Sequence, residues 1–150
     1  MDTDGMTTAE HLDTIDRLRA TGFPAAPEGG PGRGGGPGHL LVTLGRTRDF
    51  WDDDGSGREE AADQIGAEYG ALVQALTGRW GEPQVFAVGS LRDREFAGEE
   101  IPEPWGEVCT TTDHVHLWRV EGRWLVVYVA QWDEEFPYLL MAGVTVTDPP

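Results

Sequence analysis

Asp113–Gln131 reads DHVHLWRVEGRWLVVYVAQ, and this stretch decides the fold. Two apolar runs of strand length flank Glu121-Gly122, where glycine tolerates the positive φ of a tight hairpin turn. A further apolar run, Tyr138 to Val146, follows after a short polar break and completes an antiparallel meander of three strands.

Upstream, Ser90 to Glu107 is acidic and carries Pro102 and Pro104, so it reads as a long loop that Ile101 and Trp105 pin back onto the domain. Gln84 to Val88 (QVFAV) reads as a strand, and His39 to Gly45 (HLLVTLG) as another. Between them, Ile65, Tyr69, Leu72, Val73 and Leu76 form one apolar stripe of a helix over about 57 to 78, with a capping box at Ser56-x-x-Glu59 and Gly78 as its stop. Gly66 and Gly70 each cost that helix about 1 kcal/mol relative to alanine, so packing or a close neighbour must justify them. At the N-terminus, Thr7-x-x-Glu10 caps a short amphipathic helix over about 8 to 21, built on Leu12, Ile15 and Leu18.

The expected architecture is therefore α+β: an antiparallel sheet of about five strands, ending in the meander and covered on one face by the long helix. The domain plan is an N-terminal helix (1–23), a flexible tether (24–38) and an α+β domain (39–150), forming one domain overall. The tether reading rests on PAAPEGGPGRGGGPG, with seven glycines and four prolines. Gly30, Gly32 and Gly35 match G-x-G-x-x-G in form, but no strand precedes them and no helix follows to receive a pyrophosphate.

Composition bounds function. Eleven basic residues against 27 acidic ones give a net charge of −16. Such a chain repels phosphate backbones, so nucleic acid is not an expected partner. No apolar stretch approaches the roughly 20 residues of a membrane span, and the acidic N-terminus does not resemble a signal peptide, so a cytoplasmic protein is expected. A lone Cys109 makes neither an internal disulfide nor a structural zinc site. Flanked by Glu107 and Asp113, it reads as a buried structural cysteine rather than a nucleophile.

Two patterns could hold metal. His114 and His116 stand two apart on a strand and share a face with Thr110, Thr112 and Trp118. A metal there would need His39 or an acid among Glu99, Glu100 and Glu103, and an ordinary polar sheet face accounts for the same residues. Asp52, Asp54, Ser56, Gly57 and Asp63 fall at positions 1, 3, 5, 6 and 12 of a calcium loop. Position 8 is Glu59 and no helix precedes Asp52, so a capped helix N-terminus explains them with less machinery. No tight metal and no cofactor are expected, and no motif identifies a reaction.

The acids gather in residues 49–63, 93–107 and 133–135. Trp105, Trp132 and Phe136 beside Glu99, Glu100, Glu103, Asp133, Glu134 and Glu135 would suit a protein interface, aromatics supplying affinity and charges the on-rate. The alternative is that these aromatics fold back onto the core. At class level the chain resembles the small acidic α+β immunity proteins with which bacteria block toxic partners. The resemblance is carried by size, charge, acidic loops and the closing WDEEFPYLL. It implies a non-enzymatic module that binds a basic protein surface, such as that of a toxin. The other expectation is a small-ligand or metal-binding domain, or an enzyme, using the His114/His116 face.

Overall fold

The computed structural model describes residues 7–30, 33–47, 56–132 and 135–150. Eleven elements are arranged among them: α1 (Thr8–Ala20), β1 (Glu28–Gly30), β2 (Arg33–Gly36), β3 (His39–Arg46), α2 (Ser56–Trp80), β4 (Gln84–Phe86), α3 (Gly89–Phe96), α4 (Trp105–Thr111), β5 (Val115–Val120), β6 (Arg123–Ala130) and β7 (Leu139–Thr145). The fold is α+β, with one antiparallel sheet of seven strands in the order β1-β2-β3-β7-β6-β5-β4. The expected meander is its centre: β5 pairs β6 around a turn whose Glu121 and Gly122 both have positive φ, and β6 pairs β7.

The sheet is covered on both faces, not one. On β6, Leu125 and Val127 enter a core with Ile15 of α1 and Leu72 and Leu76 of α2. Alternate residues Val126, Tyr128 and Ala130 enter a second core with Leu91 of α3 and Trp105 and Val108 of α4. A strand apolar on both parities needs cover on both sides, because half of its side chains would otherwise face water.

The second cover comes from the segment read as a loop. Pro104 does not interrupt a helix there; it occupies the N-cap of α4, where its missing N–H costs nothing. Upstream, Gly98 takes a left-handed φ of 95° and terminates α3, its N–H donating to Glu95 O at 3.0 Å. Ile101 and Trp105 are buried, pinning the connection between the two helices.

The Gly/Pro segment is also corrected, from tether to sheet: β1 and β2 form a hairpin whose second strand pairs with β3. A Cβ on Gly35 would stand 2.9 Å from Leu40 Cδ2, and one on Gly36 2.9 Å from His39 Cε1. Glycine is here because the backbone approaches β3 closely, and the ladder needs only backbone groups. These two strands raise the count from about five to seven.

Both expected helices are present. Thr7 and Glu10 form a complete capping box on α1. The long helix α2 runs past Gly78 and closes at Gly81, whose φ is 89° and whose N–H donates to Thr77 O at 2.8 Å. Ser56 is its first helical residue rather than a flanking cap. No close neighbour explains Gly66 or Gly70, because a Cβ at either would meet nothing within 4 Å.

Candidate functional site

Alternation along β5 sends Val115 and Leu117 into the α3/α4 core and leaves His116 and Trp118 on the α2 face. Trp118 is structural there, its Nε1 donating to Gly81 O at 2.8 Å. Tyr69, on the buried stripe of α2, reaches His116: its Oη and His116 Nδ1 form a short hydrogen bond, with ring centroids 5.2 Å apart and planes at 83°. The same hydroxyl donates to Val127 O at 3.1 Å. That carbonyl can only accept, so the phenolic proton is committed to it and His116 Nδ1–H must donate to Oη. The tautomer follows, and Nε2 keeps its lone pair. Burial, and secondarily neighbouring His114, lowers the His116 pKa, so the ring is neutral at pH 7. Burial pushes the Tyr69 hydroxyl well above its ordinary value, with a hydrogen bond to the His116 backbone acting in the opposite direction.

The wider face expected from the sequence is smaller in the fold. Thr110 lies on α4 and Thr112 is its C-cap, so neither extends the strand. His114 precedes β5 and is exposed, its ring centroid 6.3 Å from that of His116. Beside this pair a cavity of about 240 Å³ opens between α2 and the sheet, walled by Ala62, Ile65, Gly66 and Tyr69 on the helix side and reaching Val129, Thr112, His114 and Tyr138.

The further metal ligands do not converge. His39 sits on β3, three strand positions from β5, which is roughly 14 Å at the usual strand spacing. Its side chain shares the α4 face with Leu41 and lies within electrostatic reach of Glu103, opposite His116. Glu99, Glu100 and Glu103 belong to the α3–α4 connection, on that same far side. Among the described residues no three His, Cys, Asp or Glu side chains stand close enough to share an ion. Asp52 and Asp54 of the calcium-loop pattern lie outside the described residues, and Asp63 is exposed on α2.

The acidic residues of the α3–α4 connection do form a feature. Glu95, Glu99, Glu100 and Glu103, with Gly98 and Pro102, line an open groove of about 820 Å³ over the buried Ile101. Arg94 pairs with Glu99, and a Glu103 carboxylate oxygen accepts from Glu107 N at 3.2 Å, fixing that side chain against α4. Phe96 ends α3 between Glu95 and Gly98 and is 89% exposed. The sequence reading passed it over. Its offset from buried Leu91 held the signal, since five helical residues turn about 500° and put the two on different faces.

The expected partner residues are not one patch. Trp105 is 0% exposed, and its Nε1 donates to Thr147 O at 3.1 Å, so it is a core residue and offers no contact surface. Trp132, at 51% exposure, and Phe136 are on the surface. They follow β6 at the opposite end of α4, where Gln131 N donates to Thr111 O, about 10 Å along the helix from Trp105. Glu135 is half-buried, and Asp133 and Glu134 lie outside the described residues. Cys109 is buried, its Sγ 3.3 Å from Gly106 O, and burial raises its pKa. No helix among the described residues is long and apolar enough to cross a membrane.

Comparison with protein-family models, curated proteins and solved structures found no match.

Proposed function

We propose that this protein is a non-enzymatic binding module that captures a basic protein surface in the groove between α3 and α4. The observation that carries the reading is Phe96, 89% exposed at the end of α3 and next in the chain to Glu95 of the four-carboxylate groove wall. Burying a phenylalanine side chain is worth about 1.5–3 kcal/mol, and here that gain is left for a partner to realise. Glu95, Glu99, Glu100 and Glu103 line the groove with only Glu99 paired to a neighbouring cation, Arg94, among the described residues, so a cationic partner meets a net negative field. The class-level resemblance to immunity proteins supports the same reading, as does a net charge of −16. The proposal extends to a cytoplasmic setting, in keeping with one buried thiol.

Selection of random displayed 12-residue peptides against the intact protein tests it. Sequences enriched in arginine or lysine together with an aromatic or aliphatic anchor are expected, and their binding should be lost in Phe96→Ser. Enrichment without positive charge, or binding indifferent to Phe96→Ser, overturns the reading.

A further inference from the structure

We propose that the cavity between α2 and the sheet binds a small, neutral aromatic molecule of one ring or two fused rings, with a polar edge turned to His114. This site is separate from the α3–α4 groove and does not rest on the function proposed above.

Size sets the first limit. The cavity holds about 240 Å³, more than the roughly 150 Å³ in which a benzene ring fits and less than the 300–1,000 Å³ typical of drug-sized sites. Chemistry sets the second. Ala62, Ile65, Gly66 and Val129 are apolar, and among the described residues no carboxylate, ammonium or guanidinium lines the space, so these walls offer a charged guest no counter-charge for the hydration it would lose.

The polar handle is the exposed His114 ring, set against the engaged hydroxyls of Tyr69 and Thr112. Tyr69 Oη is committed twice, giving its proton to Val127 O and accepting from His116. Thr112 Oγ1 donates to His114 O at 3.3 Å. Among the described residues the His114 ring makes only its edge contact with His116, which leaves its nitrogens for a guest. The Tyr69–His116 bond locks the wall behind it.

Gly66 is the second, independent observation. It lies inside a 25-residue helix, has no left-handed φ, and no atom stands within 4 Å of where its Cβ would be. Neither backbone conformation nor close packing requires glycine there; the residue is exposed, and its missing side chain leaves open space at the mouth of the cavity. Gly70 has equally open surroundings but lies outside the lining, so position in the wall, rather than openness alone, makes the case at Gly66.

The test is titration of the isotope-labelled full chain with indole and with phenol, followed by NMR. Saturable shifts confined to Ala62, Ile65, Val129 and the His114 ring are expected. Gly66→Leu, which fills the space while favouring the helix, should weaken binding at least tenfold, and its melting temperature reports whether it folds. Should it not fold, Gly66→Ala and the surface variant His114→Ala should each weaken binding at least threefold. Benzoate should bind at least tenfold more weakly than phenol. Absence of saturable shifts with both probes, shifts centred elsewhere, wild-type binding in the filled variants, or benzoate binding as well as phenol would each overturn the proposal.

Discussion

Tyr69 on the long helix and His116 on the sheet are joined by a hydrogen bond whose direction is dictated by a third group, the Val127 carbonyl to which Tyr69 also donates at 3.1 Å. This relationship couples helix packing to a proton. Burial lowers the His116 pKa, so the folded protein resists a proton that the unfolded chain accepts near 6.5. His39, also lowered by burial, acts in the same direction. The unfolded state therefore binds more protons below pH 6.5, and stability is full above that value and lost as pH falls through it. Denaturant melts from pH 7.5 to 5 should show this loss, and His116→Asn should flatten it without abolishing it. A profile unchanged in that variant would contradict the assignment.

Removal of the Tyr69 hydroxyl is a separate expectation. Tyr69→Phe leaves His116 Nδ1 and the Val127 carbonyl without their shared partner, at a cost of about 1–3 kcal/mol. Chemical denaturation at pH 7.5 measures it, and no loss would mean that water serves both groups equally well.

Two tryptophans should separate cleanly. Trp105 is wholly buried, edge-on to Phe86 at 6.1 Å, so Trp105→Ala is expected to cost about 3–5 kcal/mol. Trp132 is half exposed, and Trp132→Ala should change stability by under about 0.5 kcal/mol. Equal effects on the melting temperature would refute these placements.

What was legible in the sequence follows the range of the interaction that sets each element. The α1 capping box, the stripe through Ile65, Leu72 and Leu76, and the Glu121-Gly122 turn are fixed by neighbours within a few residues, and each could be read directly. The α3/α4 layer was harder. Pro104 looks like a breaker until its position at a helix N-terminus is known, and β6, apolar from Leu125 to Tyr128 without alternation, already asked for two covers. The β1–β2 hairpin was hidden because glycine in a ladder and glycine in a tether have one composition; only the approach of Gly35 to Leu40 distinguishes them. At the candidate sites, His116 could be placed on a face but not beside Tyr69, which is 47 residues away in sequence. Trp105 is wholly buried and Phe96, which carried no expectation, is exposed, because burial depends on which face of α3 and α4 meets the sheet.

Close-approach glycines give a fourth expectation. A Cβ on Gly143 would overlap Leu41 Cδ2 and stand 3.2 Å from Leu40 O, whereas one on Gly29 meets nothing within 4 Å. Gly143→Ala should cost about 1–3 kcal/mol through overpacking, and Gly35→Ala should destabilise in the same direction. Gly29→Ala should be near neutral. Melting temperatures of the three variants check the order, and a destabilising Gly29→Ala with a silent Gly143→Ala would reverse it.

The claim that an acidic groove with an aromatic lip captures a basic partner is tested most directly by association and dissociation rates of a selected basic peptide, measured at low and high salt. Wild-type association should slow as salt rises, because attraction between exposed charges is screened beyond about 10 Å at 0.1 M ionic strength. The triple variant Glu95→Gln, Glu99→Gln, Glu100→Gln should associate slowly at all salt concentrations with little change in dissociation. Phe96→Ser should dissociate faster while associating normally. Association independent of salt, or unchanged rates in both variants, would contradict the account.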